Sequence, residues 1–66
     1  MANFTTVRIP QTSSDERSTI IDASRHFGTQ HPDRWAIRGY VVASFVDDDG
    51  TRWADVAVYW FGADAN

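Results

Sequence analysis

Two strand-like segments between Trp35 and Phe61, separated by the acidic turn Asp47–Gly50, constrain this chain more than any other feature. Both segments carry large apolar or aromatic side chains on both of their alternating faces. A two-stranded ribbon with one wet face needs only one such set. In a chain of 66 residues the chain's own helix can cover one face, so the other must be covered by something else or left exposed. The second set of apolar and aromatic side chains therefore predicts that the chain assembles with or binds a partner, rather than that it catalyses a reaction.

The length of the chain also favours assembly. We expect a single small domain over residues 1–66, and a domain of this size buries only about 60% of the surface that its unfolded chain exposes. Disulfides cannot supplement the core because the sequence has no cysteine. A structural metal has weak support, since His26 and His31 are the only histidines. The sequence therefore predicts a homo-oligomer.

The net charge of the chain limits the kinds of partner that it can bind. The net charge is −3 and the pI is about 4.9, which argues against nucleic acid because binding its backbone requires a basic surface. All six basic residues are Arg, which suits forked recognition of carboxylate or phosphate, but codon bias in a GC-rich genome is the favoured explanation. No apolar run matches a membrane span and no signal-peptide pattern opens the chain, so we predict a cytoplasmic protein without a membrane partner.

The first half of the chain predicts a strand followed by a helix. Residues 3–9 are rich in β-branched and aromatic types and stop at Pro10, which is typical of a strand. Ser13 and Glu16 have the spacing of a capping box, and the spacing of the apolar residues predicts a helix over 14–27. Gly28 is expected to end that helix in a left-handed conformation, with residues 29–34 as the following loop. The apolar residues at helical spacing are Ile20, Ile21, Ala23 and Phe27.

The second half predicts a hairpin of strands over about 35–46 and 51–61. A four-residue loop with Gly50 left-handed would pair Ala43 with Ala54 and Val41 with Val56. A three-residue loop with Gly50 at a bulge would instead place Phe45 opposite Trp53. The face assigned to the helix carries Ile37, Val41, Ala43, Phe45, Ala54, Val56, Val58 and Trp60. The opposite face carries Arg38, Tyr40, Val42, Ser44, Trp53, Asp55, Ala57, Tyr59 and Phe61, with Phe4 added by the first strand.

The order of these elements predicts the topology. A helical crossover favours parallel first and second strands, and the apolar third strand then lies between them, antiparallel to both. The predicted fold is α+β, with a single helix packed on a three-stranded antiparallel sheet in the chain order β-α-β-β and the strand order 1-3-2. Both outer strands are then open edges that invite pairing with another copy.

No constellation of residues predicts catalysis. Asp22, His26, His31 and Asp33 lack the spacing of a metal site, and no serine lies in a glycine-flanked elbow between a strand and a helix. The three aspartates at 47–49 match a turn better than a calcium loop, whose carboxylates alternate. We therefore expect no catalytic residue, no metal site and no enzymatic activity.

Aromatic and Arg side chains on the second face form the candidate site. Stacking and cation–π contacts from such residues can hold a planar heterocycle or a nucleotide-like ligand. The same side chains could instead bury one another or a second subunit, and a cleft between subunits would join the two interpretations. The candidate ligand-binding residues are Trp35, Arg38, Tyr40, Trp53 and Tyr59.

The chain resembles the dodecins, a family of small flavin-binding proteins with the same strand, helix, strand, strand order. The resemblance lies in Thr12-Ser13 after the first strand, in Trp35 at the opening of the second, and in the 35–61 span that ends in an alternating apolar strand and an acidic tail. It implies a dodecameric shell that stores or sequesters flavin between stacked tryptophans, with Trp35 in the stacking role.

The sequence is therefore compatible with two functions. The first is a non-catalytic oligomeric binding protein that stores or sequesters a planar aromatic or nucleotide-like ligand, which is flavin if the protein is dodecin-like. The alternative is a protein-interaction module that binds or inhibits a partner protein, with Tyr40, Trp53 and Tyr59 as its anchors.

Overall fold

The computed structural model describes residues 3–62, which form one helix and one antiparallel sheet. The elements are β1 (Asn3–Pro10), α1 (Glu16–Gln30), β2 (Arg34–Val46) and β3 (Arg52–Gly62). The strands lie in the order β1-β3-β2, and both neighbouring pairs are antiparallel. The predicted α+β fold, its chain order and its 1-3-2 strand order are confirmed.

The first strand follows the predicted alternation. Val7 and Ile9 are buried beneath the helix, while Phe4 and Arg8 on the other face are exposed. The register between β1 and β3 runs without interruption from Asn3 opposite Trp60 to Pro10 opposite Trp53. A regular ladder of this kind keeps one set of side chains on each face along the whole strand.

The helix begins differently from the prediction. Asp15 is the N-cap, and its carboxylate accepts hydrogen bonds from the Arg17 N–H at 3.4 Å and from the Ser18 hydroxyl at 3.0 Å. Ser13 accepts a bond from the Asp15 N–H instead, so the capping box of Ser13 with Glu16 is wrong. The physical reason is that Asp caps a helix as well as Ser does, and Asp15 stands directly before the first helical residue.

The helix also ends later than predicted. It runs through Gly28 to Gln30, and the His31 N–H closes it by donating to the Phe27 carbonyl at 2.9 Å. Gly28 is therefore an interior helical residue and not a left-handed cap, and the loop shrinks to residues 31–33. Glycine permits a left-handed conformation without requiring it, and continuing the helix brings the His31 ring to 4.9 Å from the Phe27 ring.

The hairpin turn has the left-handed Gly50 that the sequence predicts, but its loop is the shorter of the two predicted. The pairing of Ala43 with Ala54 is wrong, because Ala43 lies opposite Asp55. Gly50 has a φ of 82°, and the turn is closed by bonds from the Asp47 N–H to the Thr51 carbonyl and from the Gly50 N–H to the Asp47 carbonyl. Val41 lies opposite Val56 as predicted. Phe45 lies opposite Trp53, which is the register of the shorter-loop alternative.

Two β-bulges change which side chains of β2 face the helix. The register shifts between Ala36 and Arg38 and again between Val41 and Ala43, so Ile37 and Val42 are extra residues without a direct partner on β3. Because each extra residue inverts the alternation beyond it, the predicted faces of β2 are wrong at both ends. Ala36 and Ser44 join the helix side, opposite Trp60 and Ala54, whereas Ala43 and Phe45 lie on the other side and Ile37 leaves the core.

The core lies between α1 and one face of the sheet. Its buried members are Val7, Ile9, Ala23, Phe27, Ala54, Val56 and Val58, with Ile20, Val41 and Trp60 packed against them. Thr19 is buried with its hydroxyl donating to the Asp15 carbonyl. Ile21, which the spacing placed among the core residues of the helix, is 44% exposed.

The helix covers only part of a long sheet. The molecule measures 40 × 17 × 16 Å, and the 15 residues of α1 account for about 22 Å of that length at 1.5 Å per residue. The thirteen-residue β2 and its turn therefore extend past the helix. Between residues 3 and 62, no helix is long and apolar enough to cross a membrane.

Candidate functional site

The sheet face opposite the helix, here called the open face, carries the candidate site. The register places its side chains in cross-strand rows, because directly paired residues point to the same side of the sheet. No element within residues 3–62 packs on this face. Its members are Phe4, Thr6 and Arg8 on β1, Trp53, Asp55, Ala57, Tyr59 and Phe61 on β3, and Trp35, Arg38, Tyr40, Ala43 and Phe45 on β2.

Tyr59 is the centre of an aromatic cluster on the open face. The Phe4 ring lies 5.4 Å from the Tyr59 ring between centroids, and the Tyr40 ring meets it edge-on at 5.8 Å. The Arg38 guanidinium carbon lies 5.8 Å from the same ring centre. Tyr40 is 50% exposed and Phe4 is 59% exposed, so the cluster presents free ring surface to its surroundings. The structure thus brings together Arg38, Tyr40 and Tyr59 of the predicted site.

Trp35 lies in the next row of the same face. It is paired with Phe61, with 5.3 Å between ring centroids, and both side chains are about half exposed. Rows on one face of a strand are about 7 Å apart, so this pair adjoins the Tyr59 cluster. Four of the five predicted site residues therefore belong to one aromatic surface, which Phe4 and Phe61 extend.

Trp53 stands apart from that surface. Trp53 and Tyr59 are six positions apart along β3, which is about 20 Å in an extended strand. Its indole N–H donates to the Asp47 carboxylate at 2.7 Å, so it supports the hairpin turn. The sequence could not separate Trp53 from the other candidates, because alternation within one strand places it on the same face but says nothing about its hydrogen-bond partner.

An ion pair divides the open face between Trp53 and the Tyr59 cluster. Arg8 donates from Nε and a terminal nitrogen to the two oxygens of Asp55, at 2.8 and 3.1 Å. The Arg8 guanidinium also lies 4.8 Å from the centre of the Phe45 ring. Hydrogen bonding to Arg8 lowers the pKa of the Asp55 carboxyl, and the same bond raises the pKa of Arg8. Arg8 is not one of the five candidate residues, but the sequence indicates that it and Phe4 could join them.

Asp47 organises the turn at the end of the face. Its carboxylate accepts bonds from the Trp53 indole and from the backbone N–H groups of Thr51 and Asp49, the latter two at 2.9 Å. These bonds, the Trp53 bond foremost, lower the pKa of Asp47 from its ordinary value of 3.8. The cluster at 47–49 is therefore a turn built on one carboxylate, as the sequence indicated.

Replacing Asp47 is expected to reduce the loss of stability in acid. Because the folded pKa lies below 3.8, the stabilisation is fully present above that value and is lost as the pH falls through the lower folded pKa. Asp47→Asn should therefore lower the free energy of unfolding at neutral pH and flatten its decline below pH 4. Urea unfolding between pH 2 and 7 measures both effects. Asp48→Asn is the control, and equal pH slopes for the two variants would contradict the assignment.

A groove lies on the other side of the sheet, between the outer edge of β1 and the last turns of α1. Its volume is about 230 Å³. Residues 5–8 of β1 line one wall, and the other wall is formed by His26, Phe27 and Gln30 of α1 with His31 just after the helix. Over residues 3–62, no group of three or more His, Cys, Asp or Glu side chains is placed to hold a metal ion.

Comparison with known proteins gives no relative from which a function could be inferred. No protein-family model, no curated protein sequence and no solved structure matches the chain.

Proposed function

We propose that this protein is a non-catalytic, homo-oligomeric binding protein that stores or sequesters a planar aromatic or nucleotide-like ligand on the open face. The observation that carries this proposal is the uncovered cluster of rings formed by Phe4, Tyr40 and Tyr59, next to the Trp35 and Phe61 pair. Flavin is the ligand that the resemblance to dodecins suggests, with Trp35 as the stacking residue.

Exposed ring area is the first support. Phe4, Trp35, Tyr40 and Phe61 are each between 50% and 59% exposed. Large aromatic side chains left in water on one face usually mark a binding or interaction surface. A flat heterocycle could stack on these rings and remove apolar area from water, as bases do on aromatic platforms.

Arg38 is the second support, because it suits the charged part of a nucleotide-like ligand. Its guanidinium lies over Tyr59 and has no ion-pair partner within residues 3–62. Arg is always charged and presents a planar fork of donors that matches phosphate and carboxylate oxygens. One side chain at the rim of the cluster could thus contact a ligand's anionic group while the rings stack on its planar group.

Equilibrium titration tests the proposal. Riboflavin, flavin mononucleotide and adenosine monophosphate are titrated by calorimetry, and we expect at least one to bind more tightly than 1 mM, a limit at which binding contributes only about 4 kcal/mol. Tyr40→Ala should weaken that binding by about 5-fold or more, since stacking of one base contributes about 1–3 kcal/mol. Val42→Ala is the matched control, because Val42 is a 59% exposed bulge residue on the same strand.

Two outcomes of the titration would contradict the proposal. If all three ligands bind more weakly than 1 mM, the storage function is wrong. If Tyr40→Ala and Val42→Ala bind equally well, the ligand does not use the open face. Comparing riboflavin with its phosphate in the Arg38→Gln variant separates stacking from recognition of the anion.

A protein-interaction module remains the second candidate because the open face is long and carries residue types that anchor protein interfaces. Tyr, Trp and Arg are the residue types that most often anchor protein interfaces, and Tyr40 and Tyr59 stand near the centre of the aromatic surface. A stable heteromeric complex, isolated with the wild-type protein and lost with Tyr40→Ala but not with Val42→Ala, would favour this function over storage. Trp53→Ala adds a test of the third anchor.

A further inference from the structure

We propose that β1 pairs antiparallel with β1 of a second copy, about a two-fold axis at Thr6, so that two three-stranded sheets become one sheet of six strands. This inference rests on the oligomeric part of the proposed function, and it requires no ligand.

The two outer edges of the sheet differ in their fitness for pairing. The β2 edge is interrupted by the bulges at Ile37 and Val42, which divide it into three short segments. Bulges twist and disrupt an edge and are a common protection against pairing with another chain. The β1 edge is regular from Asn3 to Pro10. It is therefore the edge that can form a further ladder.

The backbone groups on that edge can be assigned from one hydrogen bond. The Gln11 N–H donates inward, to the Arg52 carbonyl at 2.8 Å. Because backbone groups of successive strand residues point to opposite edges, Ile9, Val7 and Thr5 also point inward. Phe4, Thr6 and Arg8 thus present their N–H and C=O groups to the outside. Pro10 has no N–H, and an N–H at this position would have pointed outward, away from β3. An edge strand tolerates proline at such a position because no hydrogen bond of the ladder is lost.

Pro10 and Arg8 select the register. A two-fold axis at Thr6 pairs residues 3–9 with the same residues of the partner and leaves Pro10 beyond the last pair. Moving the axis to Arg8 would set the two Arg8 charges side by side. With the axis at Thr6 they stand about 13 Å apart, at 3.3 Å per residue, which exceeds the screening length of about 8–10 Å at ordinary salt. Each Thr6 then exchanges two hydrogen bonds with the partner's Thr6.

The side chains in this register are complementary. On the open face, Phe4 lies opposite the partner's Arg8, whose guanidinium remains with Asp55, so the aliphatic stem covers a ring that is 59% exposed in one copy. On the helix side, Thr5 lies opposite the partner's Val7. Thr5 and Val7 both line the groove beside Phe27, so the partner's Val7 brings an apolar group to that groove. The open faces of the two copies become one surface.

A single-cysteine crosslink tests the register directly, because the natural chain contains no cysteine. Thr6→Cys would place two thiols at the two-fold axis, with Cα atoms about 5.5 Å apart, inside the range of about 4.4–6.8 Å that disulfides span. Phe4→Cys is the control, since the proposed register separates its two copies by about 13 Å along the strand. Both variants are oxidised by oxidised glutathione without ligand and analysed on a non-reducing gel.

The expected result is a covalent dimer for Thr6→Cys and predominantly monomer for Phe4→Cys. Equal crosslinking of the two variants, or none for Thr6→Cys, would overturn the register. As a second measurement, sedimentation equilibrium should show the 7.4 kDa wild-type chain assembled and Thr6→Pro shifted toward monomer, while Thr6→Ser stays assembled. A monomeric wild type would also refute the proposal. Ligand binding is scored separately by calorimetry, so failure of one proposal does not imply failure of the other.

Discussion

The Phe27→Ala variant is expected to be largely unfolded at 25 °C. Phe27 is 1% exposed and belongs to the core cluster between α1 and the sheet. Its ring contacts the rings of His31 and Trp60, at centroid distances of 4.9 and 6.0 Å. Phe-to-Ala changes in cores cost about 3–5 kcal/mol, because both the transfer of the ring from water and the packing around it are lost. A single core in a chain of 66 residues rarely supplies more than about 3–5 kcal/mol, so this loss removes most of the stability.

Far-ultraviolet circular dichroism and urea unfolding, at one fixed protein concentration, measure this effect. The concentration is held constant because association stabilises the folded state by mass action. Ile21→Ala is the control on the same helix, since Ile21 is 44% exposed. A Phe27→Ala protein that unfolds cooperatively near the wild-type urea midpoint would show that the helix contributes little to the core.

The Gly39→Val variant is expected to be the second most damaging change. A Cβ atom at Gly39 would lie 2.9 Å from the Ile20 Cγ2 atom and 3.3 Å from the Val56 Cγ1 atom. Both distances are shorter than ordinary van der Waals contact, and valine adds two further methyl groups in the same space. Overpacking of this kind costs about 1–3 kcal/mol, because the helix must move away from the sheet. Urea unfolding should show a lower midpoint, together with a larger effect for valine than for alanine.

Gly28→Ala provides the matched control for that experiment. Gly28 lies inside α1, and a Cβ atom there would meet no atom within 4 Å. Alanine is favoured over glycine in a helix by up to about 1 kcal/mol, so this variant should unfold at a higher urea concentration than the wild type. A destabilised Gly28→Ala protein would support the left-handed cap that the sequence suggested, and an unaffected Gly39→Val protein would contradict the close approach of α1 and β2.

Some features of the fold could be predicted from the sequence, and others could not. The alternation of β1, the left-handed Gly50 and the placement of β3 at the sheet centre could all be derived from local chemistry and chain order. The helix ends could not, because Ser13 and Asp15 are both good caps and Gly28 is compatible with either a cap or a helical turn. Only packing distinguishes such alternatives, through contacts like that of His31 on Phe27.

The candidate site could be predicted from the sequence only where side chains alternate regularly between the two faces of the sheet. Arg38 and Tyr40 share a face with Tyr59 of β3 because both lie in the stretch of β2 between the bulges, where alternation is intact. Beyond the second bulge the predicted faces are wrong. Phe45 was assigned to the helix side of the sheet but lies on the open face. Periodicity carries no signal for a bulge, since the extra residue is defined by its missing partner on another strand.

By itself, the sequence determined the small α+β fold, the placement of the core on one side of the sheet, and the presence of more aromatic side chains than that core requires. These properties follow from composition and from periods of two and 3.6 residues, which act within a few neighbours along the chain. The tertiary structure decided which aromatic side chains stand together, because β3 aligns residues of β1 and β2 that are far apart in sequence. In that structure Trp35 lies beside Phe61, and the Trp53 indole donates a hydrogen bond to Asp47. The outer edge formed by β2 has two bulges, whereas the edge formed by β1 is regular. Those outcomes depend on register between strands, and register is set by long-range packing and hydrogen bonding together.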